Sequence, residues 1–314
     1  MALSASTNPK VAILLSIYNG EKFLPAQLES LVAQSYQNFV VVIRDDGSKD
    51  KSFDLVVRFA ERYPEKFLVL PQDSENLGAS KGFSYLMQYT LSHYKKLGLE
   101  SAYMMFCDQD DQWFESKVET QLTAMLAAEQ KGGSKPLLVH SDLEVVSETG
   151  ALIAPSLIAF QGLEIQRNKF PNLVISNLVT GCTALINQAL AEKCLPVPDR
   201  AIMHDWWLAI TAAAFGDIIF LDQPLIHYRQ HQNNTIGAKE FIKPELVSRS
   251  FWQKVFATKA NEHLVEVGVQ ASAFRLRFGK EMSFRNSVAL VLCSGMRIKV
   301  AFLQRVFYRL ARRF

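Results

Sequence analysis

FVVVIRDDGSKD, residues 39 to 50, begins with five apolar residues and ends in an acidic turn. A short apolar run that stops at a polar turn is typical of a strand buried on both faces. Downstream of the turn, Phe53, Val56, Val57 and Ala60 recur at the spacing of one helix face. The stretch therefore predicts a strand, a turn and a helix in succession.

The same succession recurs on both sides of this stretch. Further strands are predicted over residues 9–19, 67–72 and 102–111, and helices over 23–33 and 81–94. Later in the chain, the apolar pattern predicts strands over 137–146 and 218–231 and a helix over 201–215. Strands that alternate with helices and are apolar on both faces form a parallel sheet covered on each side. We therefore predict an α/β fold.

Polar residues follow three of the predicted strands at their carboxyl ends. They are Ser16 to Asn19, Asp45 with Asp46, and Asp108 to Asp111. In open sheets of this kind, ligands bind in a crevice outside the carboxyl ends of the strands. We therefore expect the three loops to converge on one crevice.

The loop DQDD, residues 108 to 111, contains three carboxylates within four residues. Ionised carboxylates at this spacing repel one another, so the arrangement costs free energy unless a cation or several donors lie among them. Mg²⁺ and Mn²⁺ prefer oxygen ligands, and Mg²⁺ is usually held by one or two carboxylates together with substrate phosphates. The loop therefore predicts a divalent-cation site for a phosphorylated substrate. A solvated turn is the alternative, because Asp is common where strands end.

A nucleotide-sugar substrate would account for both acidic turns at once. Asp45 and Asp46 can accept hydrogen bonds from a pyrimidine N–H or from ribose hydroxyls, and the DQDD loop can hold a cation that neutralises a leaving diphosphate. Asp205 stands beside two tryptophans and is a candidate general base, because partial burial would raise its pKa. As an alternative, Asp45 and Asp46 cap the helix that follows them.

Seven segments occur in a defined order over roughly residues 9 to 237. They are SIYNGEKFL, RDDGSKD, ENLGASKGF, DQDDQWFESK, TGCT, HDWW and HYRQHQNNTIG. In this order they resemble family 2 inverting glycosyltransferases of the A-type fold, especially the bacterial rhamnosyltransferase-like members that build surface polysaccharides. The resemblance implies a Rossmann-like, mixed but mostly parallel sheet flanked by helices. It also implies a nucleotide-diphosphate-sugar donor, Mn²⁺ or Mg²⁺ as cofactor, and single displacement with inversion at the anomeric carbon.

The resemblance also implies roles for individual residues. Asp205 matches the catalytic base, and Asp108 and Asp110, with His231 or His227, match the metal site; which of Asp108, Asp110 and Asp111 binds the metal directly stays open. The residues matched to the donor site are Ile17, Tyr18, Asn19, Glu21, Asp45, Asp46, Asn76, Gly78, Lys81, Asp108, Gln109 and Asp110. The residues assigned to the acceptor side are Asp111, Trp113, Thr180, Gly181, His204 and Trp206.

Several alternatives compete with this interpretation. A sugar nucleotidyltransferase would carry a glycine-rich, arginine-containing loop after the first strand, where SIYNGEKF has one glycine. A non-catalytic subunit of a polysaccharide assembly complex is the rival from another class. Trp113, Trp206 and Trp207 are more often core residues than platforms for a sugar ring. The resemblance favours dTDP-rhamnose as the donor, then UDP-hexoses, and a hydroxyl of a growing, lipid-linked bacterial surface glycan as the acceptor.

The last part of the chain differs in charge from the rest. No acidic residue follows Glu281, although the formal net charge of the whole chain is only +3. One face of a predicted terminal helix is apolar and the opposite face basic: Leu303, Val306, Phe307, Leu310 and Phe314 against Arg305, Arg309 and Arg312. Such a helix is expected to lie on an anionic membrane surface. The alternative is a helix packed on the catalytic domain with a solvated basic face.

These patterns predict a catalytic domain over residues 1–240, divided into a nucleotide-sugar half, about 1–112, and an acceptor half, about 113–240. A C-terminal helical region follows over 241–314. No run of 18 or more apolar residues occurs, the first residues lack the pattern expected of a signal peptide, and four scattered cysteines suit a reducing cytosol. We therefore expect a cytoplasmic enzyme, peripheral on the inner face of the cell membrane. We expect no nucleic-acid partner, because the acidic remainder of the protein would repel phosphate.

Overall fold

The first part of the chain forms the parallel region of a sheet in the structure, a computed structural model that describes residues 8–72, 75–232, 234 and 261–314. The strands of this region are β1 (Val11–Ile17), β2 (Phe39–Asp45), β3 (Phe67–Val69) and β4 (Tyr103–Cys107). The helices between them are α1 (Leu24–Val32), α2 (Ser52–Arg62) and α3 (Gly78–His93). β1 pairs in parallel with β2 and β4, and β2 pairs in parallel with β3. The strand-helix alternation predicted from the sequence is confirmed here.

The second part of the chain extends the same sheet with mixed strand directions. Its strands are β5 (Gln112–Trp113), β6 (Leu137–Ser147), β7 (Leu152–Ala154), β8 (Ala184–Ile186) and β9 (Asp217–Gln230). β8 is antiparallel to both β4 and β6, whereas β6 and β9 are parallel. The order across the sheet is β3-β2-β1-β4-β8-β6-β9-β5, with β7 paired to β6. The two predicted halves of the catalytic domain therefore share one continuous sheet.

Helices cover both faces of this sheet. Those of the second part are α4 (Lys117–Gly132), α5 (Leu157–Gln161), α6 (Phe170–Ile175), α7 (Gln188–Cys194) and α8 (His204–Phe215). Successive residues of a strand point to opposite faces, so β1 contributes Ala12 and Leu14 to one hydrophobic cluster and Ile13 and Leu15 to the other. All of these side chains are fully buried. The burial on both faces explains why β1 is apolar without alternation.

Within residues 261–314, the C-terminal extension contains the α-helices α9 (Glu262–Phe278), α10 (Phe284–Gly295) and α11 (Ala301–Ala311). They pack on the body of the protein, since Phe274 of α9 lies 5.2 Å from Trp207 of α8, centroid to centroid. A Cβ atom on Gly268 would lie 2.3 Å from the backbone nitrogen of Arg297, so this glycine lets the end of α10 approach α9 closely. The predicted domain boundary at residue 240 lies outside the described residues.

The terminal helix α11 is both packed and amphipathic. Gln304 and Ala311 are buried, and the Phe307 ring lies against Gly295 of α10, so Phe307 does not share the outer apolar face that the sequence predicted for it. The outer face instead carries Phe302 together with Leu303, Val306 and Leu310, of which Phe302 is 55% exposed. Within the described residues, no helix is both long and apolar enough to cross a bilayer.

Candidate active site

Three strands of the parallel region end side by side at one edge of the sheet. In the strand register Ile17 lies opposite Asp45, and Leu15 lies opposite Cys107. The loops after β1, β2 and β4 consequently meet at a cleft of about 360 Å³. The predicted site residues that line it are Ile17, Tyr18, Asp46, Asn76, Gly78, Asp108, Gln109, Asp110, Thr180, Gly181, His204 and Asp205. Sequence positions spread over nearly 190 residues are thus brought to one place.

The loop after β1 is tied to the DQDD loop by the side chain of Gln109. The backbone N–H of Tyr18 donates to Gln109 Oε1 at 2.8 Å, and Gln109 Nε2 donates to the Tyr18 carbonyl at 2.9 Å. A Cβ atom on Gly20 would lie 2.3 Å from Gln109 Oε1, so a larger residue there would displace the amide. Gln109 therefore positions the Tyr18 backbone at the edge of the cleft.

Asn19 and Glu21 hold the β1 loop against the turn after β2 and do not line the cleft. The Asn19 side-chain carbonyl accepts from the backbone N–H of Lys49 at 2.8 Å, and Glu21 accepts from that of Lys51 at 3.0 Å. Asn19 has a φ of 48°, in the left-handed region that asparagine tolerates better than most residues. Both predicted donor-site residues thus act on the shape of the cleft through the backbone.

Asp46 has its charge and its hydrogen-bonding capacity satisfied by the protein. Its carboxylate forms a buried ion pair with Arg44 and accepts the backbone N–H groups of Leu77 and Gly78 at 2.9 and 2.8 Å. Gly78 has a φ of 71°, which a residue with a side chain adopts only with strain. Asp46 therefore organises the loop around Asn76 and Gly78, and that loop lines the cleft.

The two carboxylate oxygens of Asp45, one residue earlier, differ in their hydrogen bonds. Its Oδ2 accepts from the Ser48 backbone N–H and from Gln72 Nε2, both at 3.1 Å. Its Oδ1 is buried and has no hydrogen-bond partner among the described residues. A buried acceptor without a donor is costly, so this atom is suited to receive an N–H, although Asp45 itself is 1% exposed and does not line the cleft.

The DQDD loop is anchored by the end of β9. Asp111 is buried behind the cleft and accepts the Arg229 backbone N–H at 3.1 Å, while Arg229 Nε donates to the Asp110 carbonyl at 3.1 Å. His231 Nε2 lies 2.8 Å from Asp110 Oδ2, and its ring lies 4.8 Å from the Phe23 ring, centroid to centroid. Of the two histidines that sequence reasoning left open, His231 is therefore the one beside Asp110.

The pKa values of Asp108 and Asp111 in this loop are raised. Burial, with the negative charges of Asp110 and Asp205, raises the pKa of Asp108 to about 7. Burial, with Asp110 and Asp108, also raises the pKa of Asp111 well above its usual value. Neither Asp108 nor Asp111 forms an ion pair with a lysine or arginine of the described chain. Ionised carboxylates would repel one another here, so the raised pKa values favour the protonated forms, and the buried side chain of Lys117 is a cation that interacts with Asp111.

This charge distribution fits a divalent cation. Asp108, Asp111 and Cys182 each offer a ligand atom within 4.8 Å of the others, and Asp111 Oδ2 is buried beside the Cys182 thiol with no conventional donor. Asp108 and Asp110 line the cleft, whereas Asp111 and Cys182 lie below it. Hard cations such as Mg²⁺ and Mn²⁺ prefer the carboxylate oxygens to the thiol. The cleft-facing pair, with His231 behind Asp110, therefore provides the donors that suit such an ion.

Asp205 occupies the first turn of α8 and lines the same cleft. Burial raises its pKa to about 6, while hydrogen bonds from the Trp206 and Gly181 backbone and from Asn177 partly oppose the shift. Its charge contributes to the raised pKa of Asp108, so the two carboxyl groups lie close enough to interact. A carboxyl group with a pKa near 6 is largely ionised at neutral pH and still basic enough to take a proton.

His204 lines the cleft next to Asp205. Its ring lies 4.5 Å from Phe83 and 5.2 Å from Phe106, centroid to centroid, and neither ring nitrogen has a hydrogen-bond partner among the described residues. Burial lowers the pKa of His204 to about 3, so the imidazole is neutral. It can offer one donor and one acceptor to a sugar hydroxyl.

Some predicted site residues lie elsewhere. Lys81 forms an ion pair with Asp199 at 3.0 Å and does not line the cleft. Trp113 and Trp206 are buried core residues, as the alternative interpretation had it, so neither indole can stack on a sugar in this structure. His227 lies 3.0 Å from Glu144, away from Asp110.

Sequence reasoning missed several residues of the site. Asn177 interacts with Asp205, and Phe83 and Tyr228 line the cleft. Tyr228 lies inside the HYRQH segment, and strand alternation could have separated it from His227. No local pattern marks Asn177, because only the packing of α8 brings its loop to Asp205.

Comparison with known proteins gives consistent results. Residues 12–191 match the sequence profile of the family described as Glycosyl transferase family 2. The dTDP-rhamnosyl transferase RfbG of Shigella flexneri is 24% identical over 269 residues, which cover 80% of this chain and 85% of that protein.

Solved structures share the fold at low sequence identity. S. aureus TarS 1-349 in complex with UDP-GlcNAc matches with a TM-score of 0.54 at 16% identity. The match covers 97% of this chain and 87% of the TarS chain. The mannosyltransferase PcManGT from Pyrobaculum calidifontis, in complex with GDP-Man and Mn²⁺, has a TM-score of 0.54 at 16% identity, with 98% and 81% coverage. A longer S. aureus TarS structure also matches, with a TM-score of 0.51. That match covers 92% of this chain and 43% of the TarS chain. These likenesses show an A-type fold.

Proposed function

The chain belongs to glycosyltransferase family 2, and from that membership we propose that it moves a sugar from a nucleotide-diphosphate donor to a hydroxyl of a growing, lipid-linked bacterial surface glycan. The first donor we propose is dTDP-rhamnose, because RfbG, a similar protein, is a dTDP-rhamnosyl transferase. UDP-hexoses come second, because TarS, which shares the fold, binds UDP-GlcNAc. The cleft at the carboxyl edge of the sheet is the site we propose for the reaction.

One observation supports this proposal more than any other. Asp108 and Asp205 line the same cleft and interact, and the pKa of each is raised, to about 7 and about 6. Perturbed carboxyl groups of different elements in one cleft are typical of sites that bind a cation and transfer a proton. A solvated turn would leave the Asp108 pKa near its ordinary value.

We assign the nucleotide to the part of the cleft formed by the β1 and β2 loops. Asp45 Oδ1 has no partner among the described residues and can accept the ring N–H of a pyrimidine. Tyr18 is half-exposed at the cleft edge, where its ring can contact the base. The loop held by Asp46 carries Asn76 beside the position of the ribose and diphosphate.

We assign the leaving diphosphate to the Asp108 and Asp110 end of the cleft. A Mn²⁺ or Mg²⁺ ion held there by Asp108 and Asp110, with His231 orienting Asp110, would supply electrostatic stabilisation of the negative charge that develops on the leaving phosphate oxygen. His231 fixes the orientation of Asp110 because its ring contacts both that carboxylate and Phe23.

We assign the role of general base to Asp205. As a carboxylate it accepts the proton of the acceptor hydroxyl while that oxygen attacks the anomeric carbon. Attack occurs from the face opposite the leaving diphosphate, so the product has the inverted configuration. The hydrogen bonds from Gly181, Trp206 and Asn177 fix the orientation of the carboxylate.

A donor screen tests the proposal. Binding and hydrolysis of dTDP- and UDP-sugars are measured with Mn²⁺, with Mg²⁺ and with EDTA. We expect one nucleotide class to bind at least tenfold more tightly with metal than with EDTA. Equal binding of every donor in EDTA would remove the cation from the proposal. Donor binding without any hydrolysis or transfer would favour a non-catalytic subunit.

We also propose that α11 lies on an anionic membrane surface. Its outer face exposes Phe302, Leu303, Val306 and Leu310, and no acid occurs in the helix. Replacing Phe302 and Leu310 by Asn should reduce binding to anionic vesicles several-fold, because both side chains would enter the lipid. The pair Leu152→Asn and Ile153→Asn, exposed on β7, is the matched control. Equal binding by the α11 pair and the unaltered protein would mean that α11 is a purely structural helix.

A further inference from the structure

A basic groove lies between α9 and α10, away from the catalytic cleft. Its volume is about 1070 Å³. Its basic residues are Arg200, Arg275, Arg277, Lys280 and Arg297, and its acid is Glu281. The groove shares no lining residue with the cleft that contains Asp108 and Asp205.

The cations of the groove differ in their contacts with the rest of the protein. Arg277 is tied to the fold, because its guanidinium donates to several backbone carbonyls, among them those of Cys194 and Pro196. Glu281 is already paired with Lys193 at 2.5 Å and cannot neutralise the groove. The cations that form no ion pair with a described residue are Arg200, Arg275, Lys280 and Arg297, and all four are exposed.

A buried hydroxyl also faces this groove without a partner. Ser294 of α10 is 8% exposed, lines the groove, and has no hydrogen-bond partner for Oγ among the described residues. Arginine and lysine side chains, together with an unpartnered hydroxyl, are donors that bind a phosphate group. The close approach of α9 and α10 at Gly268 places Arg297 at this groove.

Exposed apolar side chains surround the groove. Leu276 and Val291 line it and are 84% and 47% exposed, and Phe284, at the start of α10, is 87% exposed. Most of the large hydrophobic side chains exposed in the described chain lie between Leu276 and Leu310. A soluble phosphate ligand does not require such a surface, whereas a lipid requires both a charged and an apolar contact.

We propose that the groove between α9 and α10 binds the phosphate headgroup of an anionic phospholipid, with Leu276, Val291 and Phe284 in contact with the acyl region. Arg297 and the Ser294 hydroxyl contact the phosphate, while Arg275 and Lys280, about two and three helix turns from Gly268, attract the anionic surface around it. The membrane contact of this protein is then a surface of three C-terminal helices and not α11 alone. This inference does not depend on the donor, the metal or the catalytic base.

Vesicle flotation tests the groove directly. The full-length protein is mixed with vesicles of phosphatidylglycerol and phosphatidylcholine in equal parts, and with vesicles of phosphatidylcholine alone. The test variant carries Arg275→Gln, Lys280→Gln and Arg297→Gln. The control carries Arg58→Gln, Lys95→Gln and Lys96→Gln, the same charge change at exposed positions of the nucleotide half.

We expect the groove variant to lose affinity for anionic vesicles by roughly fivefold per cation, on the order of a hundredfold in all, while the control changes severalfold at most. Equal losses in the two variants would overturn the proposal, because binding would then follow net charge. The single charge reversal Lys280→Glu should reproduce most of the loss, and circular dichroism verifies that each variant is folded. Donor hydrolysis in solution should stay unchanged in the groove variant, which separates this test from that of the catalytic site.

A second measurement separates lipid from free phosphate. Binding of glycerol phosphate and of inorganic phosphate to the protein without vesicles is followed by NMR or calorimetry. We expect weak binding of glycerol phosphate that the groove variant loses. Tight binding of inorganic phosphate, together with vesicle binding that phosphatidylglycerol does not improve, would identify a soluble anion as the ligand and contradict the lipid assignment.

Discussion

The acidic turns after β2 and after β4 look alike in sequence and differ in charge balance. In the first, Asp46 is neutralised by Arg44 and accepts two backbone N–H groups. In the second, neither Asp108 nor Asp111 forms an ion pair with a lysine or arginine side chain of the described residues, and the pKa of each is raised. The Asp46 carboxylate therefore stabilises the fold, whereas the carboxyl groups of Asp108 and Asp111 remain without such an ion pair and are suited to bind a cationic ligand.

The largest effect should come from the carboxyl group that faces the second turn. Asp205→Asn should lower kcat by about 10³-fold or more, because an amide cannot take the proton of the acceptor hydroxyl. Donor affinity should change little, since we assign Asp205 to the acceptor hydroxyl and not to the donor. Steady-state kinetics and calorimetry measure the two quantities. An equal loss of turnover and of donor affinity would mean that the base is misassigned.

A substitution in the second turn should lower activity without destabilising the fold. Asp110→Asn should lower kcat/KM by about 10²- to 10³-fold, because one ligand for the charge-stabilising cation is lost. The free energy of unfolding should change by less than about 1 kcal/mol, since Asn can still bond to His231. Assays and urea unfolding on the same preparation measure both. A variant that unfolds readily would assign Asp110 to the fold.

The first turn should show the opposite result. Asp46→Asn leaves the buried Arg44 guanidinium without its counter-charge, and the free energy of unfolding should fall by about 3 kcal/mol. Asp222→Asn, at an exposed position of β9, is the control and should stay within about 0.5 kcal/mol of the unaltered protein. Unchanged stability of Asp46→Asn would remove the distinction between the two turns.

The pH dependence of the reaction should reflect the ionisation of Asp108 in the second turn and of Asp205. Asp205 takes a proton only as a carboxylate, and Asp108 holds a cation only as a carboxylate. The value of kcat/KM should therefore fall about tenfold per pH unit below pH 7 and more steeply below pH 6. Excess Mn²⁺ should shift the decline of kcat/KM that begins near pH 7 to lower pH, because the ion competes with the proton at Asp108. A flat profile from about pH 5 to 8 would contradict both assignments.

The sequence predicted the long strands well, for a physical reason, but it did not predict the 16-residue helix α4 (Lys117–Gly132). The runs over residues 11–15 and 39–43 are apolar throughout because both faces of the sheet are covered. β5, β7 and β8 contain two or three residues each, too few to show a periodicity. Their existence depends on pairing partners far away in the chain.

Within the site, residue types were predictable and their electrostatic partners were not. The acids at the strand ends followed from strand prediction alone. Lys81 was assigned to the donor diphosphate from its segment, but the fold places Asp199 beside it. Likewise, the sequence could not show that Asp46 has a buried cation and Asp108 has none. Partners distant in sequence decide which carboxylate is available, and only the folded chain identifies them.

Binding of Mn²⁺ in the presence of a nucleoside diphosphate tests the difference between the two turns most directly. Electron paramagnetic resonance measures the bound ion at a pH above 7, where Asp108 is ionised. We predict that Asp108→Asn and Asp110→Asn each weaken Mn²⁺ binding at least tenfold, whereas Asp45→Asn at the first turn leaves it unchanged. Binding that survives in both variants of the second turn, or is lost equally in Asp45→Asn, would contradict the account.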